Sequence, residues 1–228
     1  MAFVVTVDGP SGAGKGTLCQ RLAQSLGFHL LDSGALYRLT ALAAEKQAAD
    51  WGDEEALAQV AKNLAVRFEP SAGGVKVWLA GEDVTSAIRK EQVGMNASRV
   101  AACQPVRAAL LQRQRSFAEE PGLVADGRDM GTTVFPDAPV KVFLTASAEE
   151  RARRRVLQLQ LAGETPDYEA ILADIETRDR QDRERATSPL KPADDAVQLD
   201  STHLGIEEVL AQVLALVQDS LSGSAAAR

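Results

Sequence analysis

The sequence predicts a three-layer α/β/α fold, with helices on both faces of a five-stranded parallel sheet. Two observations carry this. Short apolar segments alternate with helical patterns along almost the whole chain, and a glycine-rich loop joins the first segment to the first helix. A third observation limits it. Between about Val66 and Val84 the alternation gives way to period-two apolarity, which predicts a small antiparallel insert.

Phe3–Val7 is rich in β-branched residues, as a buried parallel strand is. Beyond the glycines, Leu18, Leu22, Ala23 and Leu26 recur at helical spacing. Further strands are predicted at His29–Leu31, Leu123–Ala125, Val140–Leu144 and Ala196–Leu199, joined by right-handed crossovers. In the insert, Val66 and Phe68 alternate, then Val75, Val77 and Leu79, around a turn at Pro70-Ser71-Ala72-Gly73-Gly74; Ala80-Gly81 turns again into Glu82-Asp83-Val84. Helices are expected near Val93–Ala102 and Val106–Phe117. Ser147-Ala148-Glu149-Glu150 has the form of a capping box. Thr165-Pro166-Asp167 offers an N-cap, a first-turn proline and an acidic residue, opening a helix that runs to about Thr187 before Pro189 and Pro192. The last helix is amphipathic through Ile206, Val209, Leu210, Val213, Leu214 and Val217, with a frayed tail from Ser222.

A chain of 228 residues with 45% hydrophobic content can bury one sizeable core. No apolar run approaches membrane-spanning length, and the first strand starts too near Met1 to leave room for a signal peptide, so a soluble cytoplasmic protein is expected. Cys19 and Cys103 form neither a disulfide framework nor a zinc spacing, and His29 and His203 have no partners in sequence. A net charge of −7, with only two tyrosines and two tryptophans for stacking, argues against nucleic-acid binding.

Four constellations carry chemistry. Gly9-Pro10-Ser11-Gly12-Ala13-Gly14-Lys15-Gly16-Thr17 lies between a strand and a helix, the context that gives a phosphate loop its mechanism. Glycines let the backbone aim N–H groups at phosphate oxygens in front of a positive helix end, and Lys15 adds a mobile cation. Gly16 stands where a magnesium-ligating Ser or Thr is usual, so the hydroxyl arrives at Thr17. Leu30-Leu31-Asp32-Ser33-Gly34-Ala35-Leu36-Tyr37-Arg38 follows the second strand at a carboxyl end of the sheet. There Ser33 either caps a helix or binds a ligand, and Arg38 is either a surface residue or a grip on a second phosphorylated molecule.

Asp126-Gly127-Arg128-Asp129-Met130-Gly131-Thr132 follows the third strand. Its carboxylates and arginine form either a self-satisfied ion network or a magnesium and phosphate site, and the flanking glycines favour close approach of a ligand. In Arg178-Asp179-Arg180-Gln181-Asp182-Arg183-Glu184-Arg185, helical spacing places Arg178, Asp182 and Arg185 on one face and Arg180 and Arg183 on another. One such face can be a solvated surface, while planar guanidinium groups also match a transferring phosphoryl group. Arg151, Arg153, Arg154 and Arg155 precede Ala162-Gly163-Glu164-Thr165-Pro166, a basic segment and glycine hinge that read as a closing lid.

A GTP switch is disfavoured because the chain lacks an Asn-Lys-x-Asp motif and an Asp-x-x-Gly switch motif. Motor and transporter ATPases usually carry a strand ending in Asp-Glu, whereas Asp126 is followed by Gly127. A small kinase with two phosphorylated substrates remains, beside a nucleotide-binding regulator that has lost catalysis.

Together, in this order, the four motifs resemble those of bacterial cytidylate kinases over essentially the whole chain. The resemblance implies a P-loop fold with a core at 1–32, 106–150 and 167–228, a monophosphate-binding region with the meander at about 33–105, and a lid at about 151–166. It implies ATP-dependent phosphorylation of CMP and dCMP with Mg2+. No exposed apolar stripe demands a partner, so a monomer is expected that binds these small molecules and neither nucleic acid nor membrane. A kinase for UMP, AMP or a sugar acid is the alternative within the same class. By position, Gly9 to Thr17 and Arg154 would hold ATP, with Thr17 a minor magnesium ligand beside nucleotide oxygens and water. Ser33, Arg107, Asp129 and Arg185 would line the cytosine pocket, Ser98, Arg178 and Asp182 would meet the pentose, and Arg38 and Arg128 would bind the CMP phosphate. Lys15, Arg128, Arg178 and Arg185 would be the catalytic cations.

Overall fold

The computed structural model describes residues 2–71 and 74–226. Strands β1 (Phe3–Asp8), β2 (His29–Asp32), β3 (Val66–Ser71), β4 (Gly74–Leu79), β5 (Glu82–Asp83), β6 (Gly122–Gly127), β7 (Val140–Thr145) and β8 (Val197–Asp200) form two sheets. The helices are α1 (Lys15–Leu26), α2 (Ser33–Lys46), α3 (Glu54–Lys62), α4 (Glu91–Ala102), α5 (Gln104–Arg115), α6 (Ala148–Leu161), α7 (Tyr168–Glu184) and α8 (Ile206–Ala226). Two compact units result, one of residues 1–32 with 115–228 and one of residues 33–114. The division between the units falls at residues 114 and 115, so all of α5 except Arg115 belongs to the second unit.

The first unit is the predicted parallel sheet, in the order β2-β6-β1-β7-β8. Helix-covered faces make the central strands apolar on both sides, and β6 is buried throughout. Val5, Val7, Val124, Val142 and Leu144 pack with Leu18 and Leu22 of α1 and with Val209 and Val213 of α8. The register matters for function: Asp32 pairs with Asp126, and Asp126 with Val7, so the carboxyl ends of β1, β2 and β6 finish level.

The second unit holds the antiparallel meander β3-β4-β5 with α2 to α5. The middle of its first expected turn, residues 72 and 73, lies outside the described residues.

Several helix ends differ from expectation. The cap of α7 is Asp167, whose carboxylate accepts the N–H groups of Glu169 and Ala170; Thr165 lies two residues too early. α7 ends at Glu184 rather than near Thr187, because Arg185 turns extended and Leu190 N–H returns to the carbonyl of Asp182. Ser147 caps α6 by accepting from Glu150 N–H, but the Glu150 carboxylate pairs with Arg153 and Arg154 instead of closing the box. α8 continues to Ala226, past the expected fraying point.

Candidate active site

The loop after β1 is shaped by where its carbonyls go. Pro10 O accepts from Lys15 Nζ (2.9 Å), Ser11 O from Arg151 Nη1 (2.9 Å) and Ala13 O from Ser201 Oγ (3.2 Å). In a trans peptide the C=O and the following N–H point in opposite directions. Tying these three carbonyls to protein donors therefore turns the N–H groups of Ser11, Gly12 and Gly14 each away from its own donor. Gly9 is required by space: a Cβ there would stand 2.0 Å from Leu144 O. Gly14 caps α1 in the left-handed region at φ 93°, where other residues are strained.

Lys15 opens α1 and is 5% exposed. Its ammonium lies 3.9 Å from Asp126 at the end of β6. Burial, then the Arg128 charge, lowers its pKa to about 8, against the opposing pull of Asp126. Burial raises the Asp126 carboxyl to about 7, while Lys15 favours its ionised form. Thr17 is exposed two residues along the helix, and a Cβ on Gly16 would lie 3.8 Å from Asp126 Oδ2, which places this carboxylate beside the first turn of α1.

Asp8 was not singled out by sequence, yet it builds the next loop. Its carboxylate accepts Met130 N–H and Gly131 N–H, each at 2.8 Å. Burial raises its pKa to about 6 in spite of these two donors. Residues Met130–Val134 form a π-helical turn, a wide turn of the kind that recurs at functional sites. The turn holds Arg128 and the buried Asp129 at the strand end. The glycines flanking them are required by packing: a Cβ on Gly127 would stand 2.7 Å from the Met130 side chain, and one on Gly131 would stand 2.9 Å from Thr6 Oγ1.

α7 brings its predicted face to the same place. Arg178, Asp179 and Asp182 are buried, while Arg180 and Arg183 are the solvated face. Asp182 accepts from Arg128 Nε at 2.9 Å and lies 4.0 Å from Arg185 Nη1. Burial alone would lower the Arg128 pKa, but Asp182 outweighs it and raises it. Arg185, just beyond the helix, also donates to Ser188 O at 2.7 Å. Arg154 donates to Glu150 and to Ser201 O (2.6 Å), and reaches within 3.9 Å of where a Gly14 Cβ would be.

In the second unit, Ser33 opens α2 and donates to Gln114 Oε1 at 2.6 Å. Arg38 Nη1 donates to Ile88 O (2.8 Å), and the buried Arg107 donates to Ala101 O (3.2 Å) with its guanidinium 5.5 Å from the Tyr37 ring centroid. Ser98 is half-buried on α4. Gln114, Asp179 and Ser201, like Asp8, were given no site role from sequence, and Arg151 only a place in the basic segment before the hinge, because their contacts depend on partners distant in sequence.

The family model described as cytidylate kinase matches residues 5–219. A protein named cytidylate kinase from Saccharophagus degradans is 61% identical over 219 residues, covering 96% of this chain and 98% of its own. Another of that name from Edwardsiella ictaluri is 62% identical over 218 residues, covering 96% and 97%. Among solved structures, an uncharacterized protein from Eubacterium ventriosum shares the fold, with a TM-score of 0.52 at 9% identity over 96% of this chain and 99% of that one. Among the described residues no helix is long and apolar enough to cross a membrane.

Proposed function

We propose, because this chain belongs to the cytidylate kinase family, that it transfers the γ-phosphoryl group of ATP to CMP or dCMP, giving ADP and CDP or dCDP. One observation carries the reading within the molecule. The glycine loop, Lys15 and the cluster of Arg128, Asp182 and Arg185 all stand at one carboxyl end of the sheet, where open α/β proteins bind ligands.

In this reading Gly9, Pro10, Ser11, Gly12, Ala13, Gly14, Lys15, Gly16 and Thr17 hold the ATP phosphates, with Arg154 beside them. Arg38 and Arg128 bind the CMP phosphate, and Ser98, Arg178 and Asp182 meet the pentose. Ser33, Arg107, Asp129 and Arg185 match the donor and acceptors on the cytosine edge, so a wrong base leaves buried polar groups unpaired. The hard oxygen donors of Thr17 and Asp126 at the start of α1 suit Mg2+, completed by nucleotide oxygens and water. When bound, the ion neutralises phosphate charge.

A CMP phosphate oxygen is already an anionic nucleophile, so no general base is needed. It attacks the γ-phosphorus, a new P–O bond forms in line as the bond to ADP breaks, and ADP leaves. Lys15, Arg128, Arg178 and Arg185 supply fixed positive charge where the equatorial oxygens carry it. Residues 151–166, with Gly163 at φ 82°, form the lid over the phosphates. The reading places the enzyme in the cytoplasm as a monomer.

A coupled ADP-release assay across CMP, dCMP, UMP and AMP tests it. CMP and dCMP are expected to be preferred to UMP by about 100-fold or more in kcat/KM. Preference for UMP or AMP would reassign the acceptor. Absence of ADP release with every acceptor would make the chain a nucleotide-binding regulator.

A further inference from the structure

The basic run at the start of α6 does not form one patch in the folded chain. Arg153 is exposed and Arg154 turns to Glu150 and Ser201, whereas Arg151 is 3% exposed. The Arg151 guanidinium donates from Nε to Ala146 O (2.9 Å), from Nη1 to Ser11 O (2.9 Å) and Asp179 Oδ1 (3.0 Å), and from Nη2 to Asp179 Oδ2 (2.6 Å).

We propose that Arg151 is a positioning residue for the triphosphate: gripped by Asp179 of α7, it fixes the peptide plane between Ser11 and Gly12 so that Gly12 N–H faces the phosphates. Drawing the Ser11 carbonyl toward Arg151 sets the direction of the N–H on the opposite edge of that plane. The arginine stem also lies under the loop, since a Cβ on Gly12 would be 3.3 Å from Arg151 Cβ. Gly12 adopts φ 78°, a conformation that needs glycine, and the arginine closes the space beneath it.

Stability alone does not account for this pair. A buried ion pair adds little that apolar residues of the same volume would not. What the charged pair adds is direction. The planar fork engages both Asp179 oxygens and still presents an N–H to Ser11, which a lysine ammonium cannot reproduce. Asp179 sits next to Arg178 and one turn before Asp182, so the helix that carries the acceptor arginines is also the anchor of the triphosphate loop.

The inference rests on the reading that the loop holds a nucleoside triphosphate, and the identity of the acceptor does not enter it. The test is calorimetric titration of Arg151→Lys and Asp179→Asn with ADP alone and with CMP alone, beside steady-state KM values for ATP and CMP. Loss of a charged, oriented hydrogen bond predicts an ADP Kd and an ATP KM at least ~10-fold weaker in both variants. The CMP Kd is expected to stay within about twofold, since these contacts are absent from the acceptor groups. Equal weakening of ADP and CMP binding would show a merely structural role, and unchanged ADP binding would overturn the proposal outright. If Arg151→Lys does not fold, Asp179→Asn, which keeps the side-chain size, decides the matter. Wild-type protein that binds ADP but not CMP would refute the acceptor assignment and leave the ADP arm of the test standing, with the melting temperature of each variant as the control for a merely structural role.

Discussion

Arg128 and Asp182 lie 54 residues apart in sequence, and their side chains meet at 2.9 Å. The contact joins the loop after β6 to the last turns of α7. Asp182 raises the Arg128 pKa against the effect of burial and also lies beside Arg185, so one carboxylate organises two cations. Without it, those cations would repel each other and lose a common anchor.

Asp182→Asn keeps the shape but removes the charge. A hydrogen bond to a charged group contributes about 1.5–3 kcal/mol, so kcat/KM for CMP is expected to fall at least ~10-fold, with the ATP KM nearly unchanged. Steady-state kinetics varying each substrate would check this. An unaltered CMP term would separate Asp182 from the acceptor site.

Lys15→Ala and Arg185→Ala each remove a cation assigned to the transition state. Turnover is expected to drop by about 100-fold or more in either variant, the usual cost of losing one oriented donor. Near-normal turnover in a variant that retains the wild-type melting temperature would remove that residue from the catalytic set.

Asp129→Ala is aimed at base selectivity. Asp129 is 2% exposed beside Arg128, where a carboxylate can accept from the cytosine amino group. The expected outcome is weaker CMP binding and a reduced preference for CMP over UMP, with the ATP KM little changed. Competition assays with both monophosphates would measure it, and unchanged discrimination would exclude Asp129 from the pocket.

The depressed pKa of Lys15 makes a prediction about pH. The proposed site needs the protonated amine for phosphate, and with the Lys15 pKa lowered to about 8 by burial this form is lost as pH rises through that value. The kcat/KM for ATP, which reports the free enzyme, should therefore decline above about pH 8. Lys15→Arg stays charged and should lack this limb, whatever its absolute rate. A wild-type profile flat to pH 9.5 would contradict the assignment.

Asp8 supplies the opposite kind of dependence. Its carboxyl pKa is raised from 3.8 to about 6, so between these values the folded state binds more protons than the unfolded one. Stability from this group is complete below about pH 4 and is lost as pH rises through about 6, by an amount on the order of 3 kcal/mol. Denaturant unfolding at pH 4.5 and 7.5 should show a smaller loss in Asp8→Asn than in wild type. The readout is the change with pH, because the amide also disturbs the hydrogen bonds to Met130 and Gly131.

The glycine loop, the five parallel strands and the meander were legible in the sequence because each follows from a local pattern: glycines between a strand and a helix, β-branched runs, and period-two apolarity around turns. So was the buried face of α7, since helical spacing alone groups Arg178 with Asp182. Helix ends were less so. Asp167 captured the cap that Thr165 offered, and Arg185 left the helix early, because the winner among competing caps depends on which backbone groups the fold leaves unsatisfied.

Partnership was decided by tertiary structure alone. Arg151 and Arg153 are two residues apart and chemically alike, yet one is buried against Asp179 and Ser11 and the other is in water. Asp8 precedes the glycine loop in every reading of the chain, but only the β1–β6 register sets it against Met130 and Gly131. The glycines at 127 and 131 leave room for the Met130 and Thr6 side chains, a packing relation that no local pattern shows. Local pattern settles which residues face inward, since periodicity is a property of neighbours. Which charge meets which, and hence which pKa moves, depends on strand order and helix docking, and those bring together residues far apart along the chain.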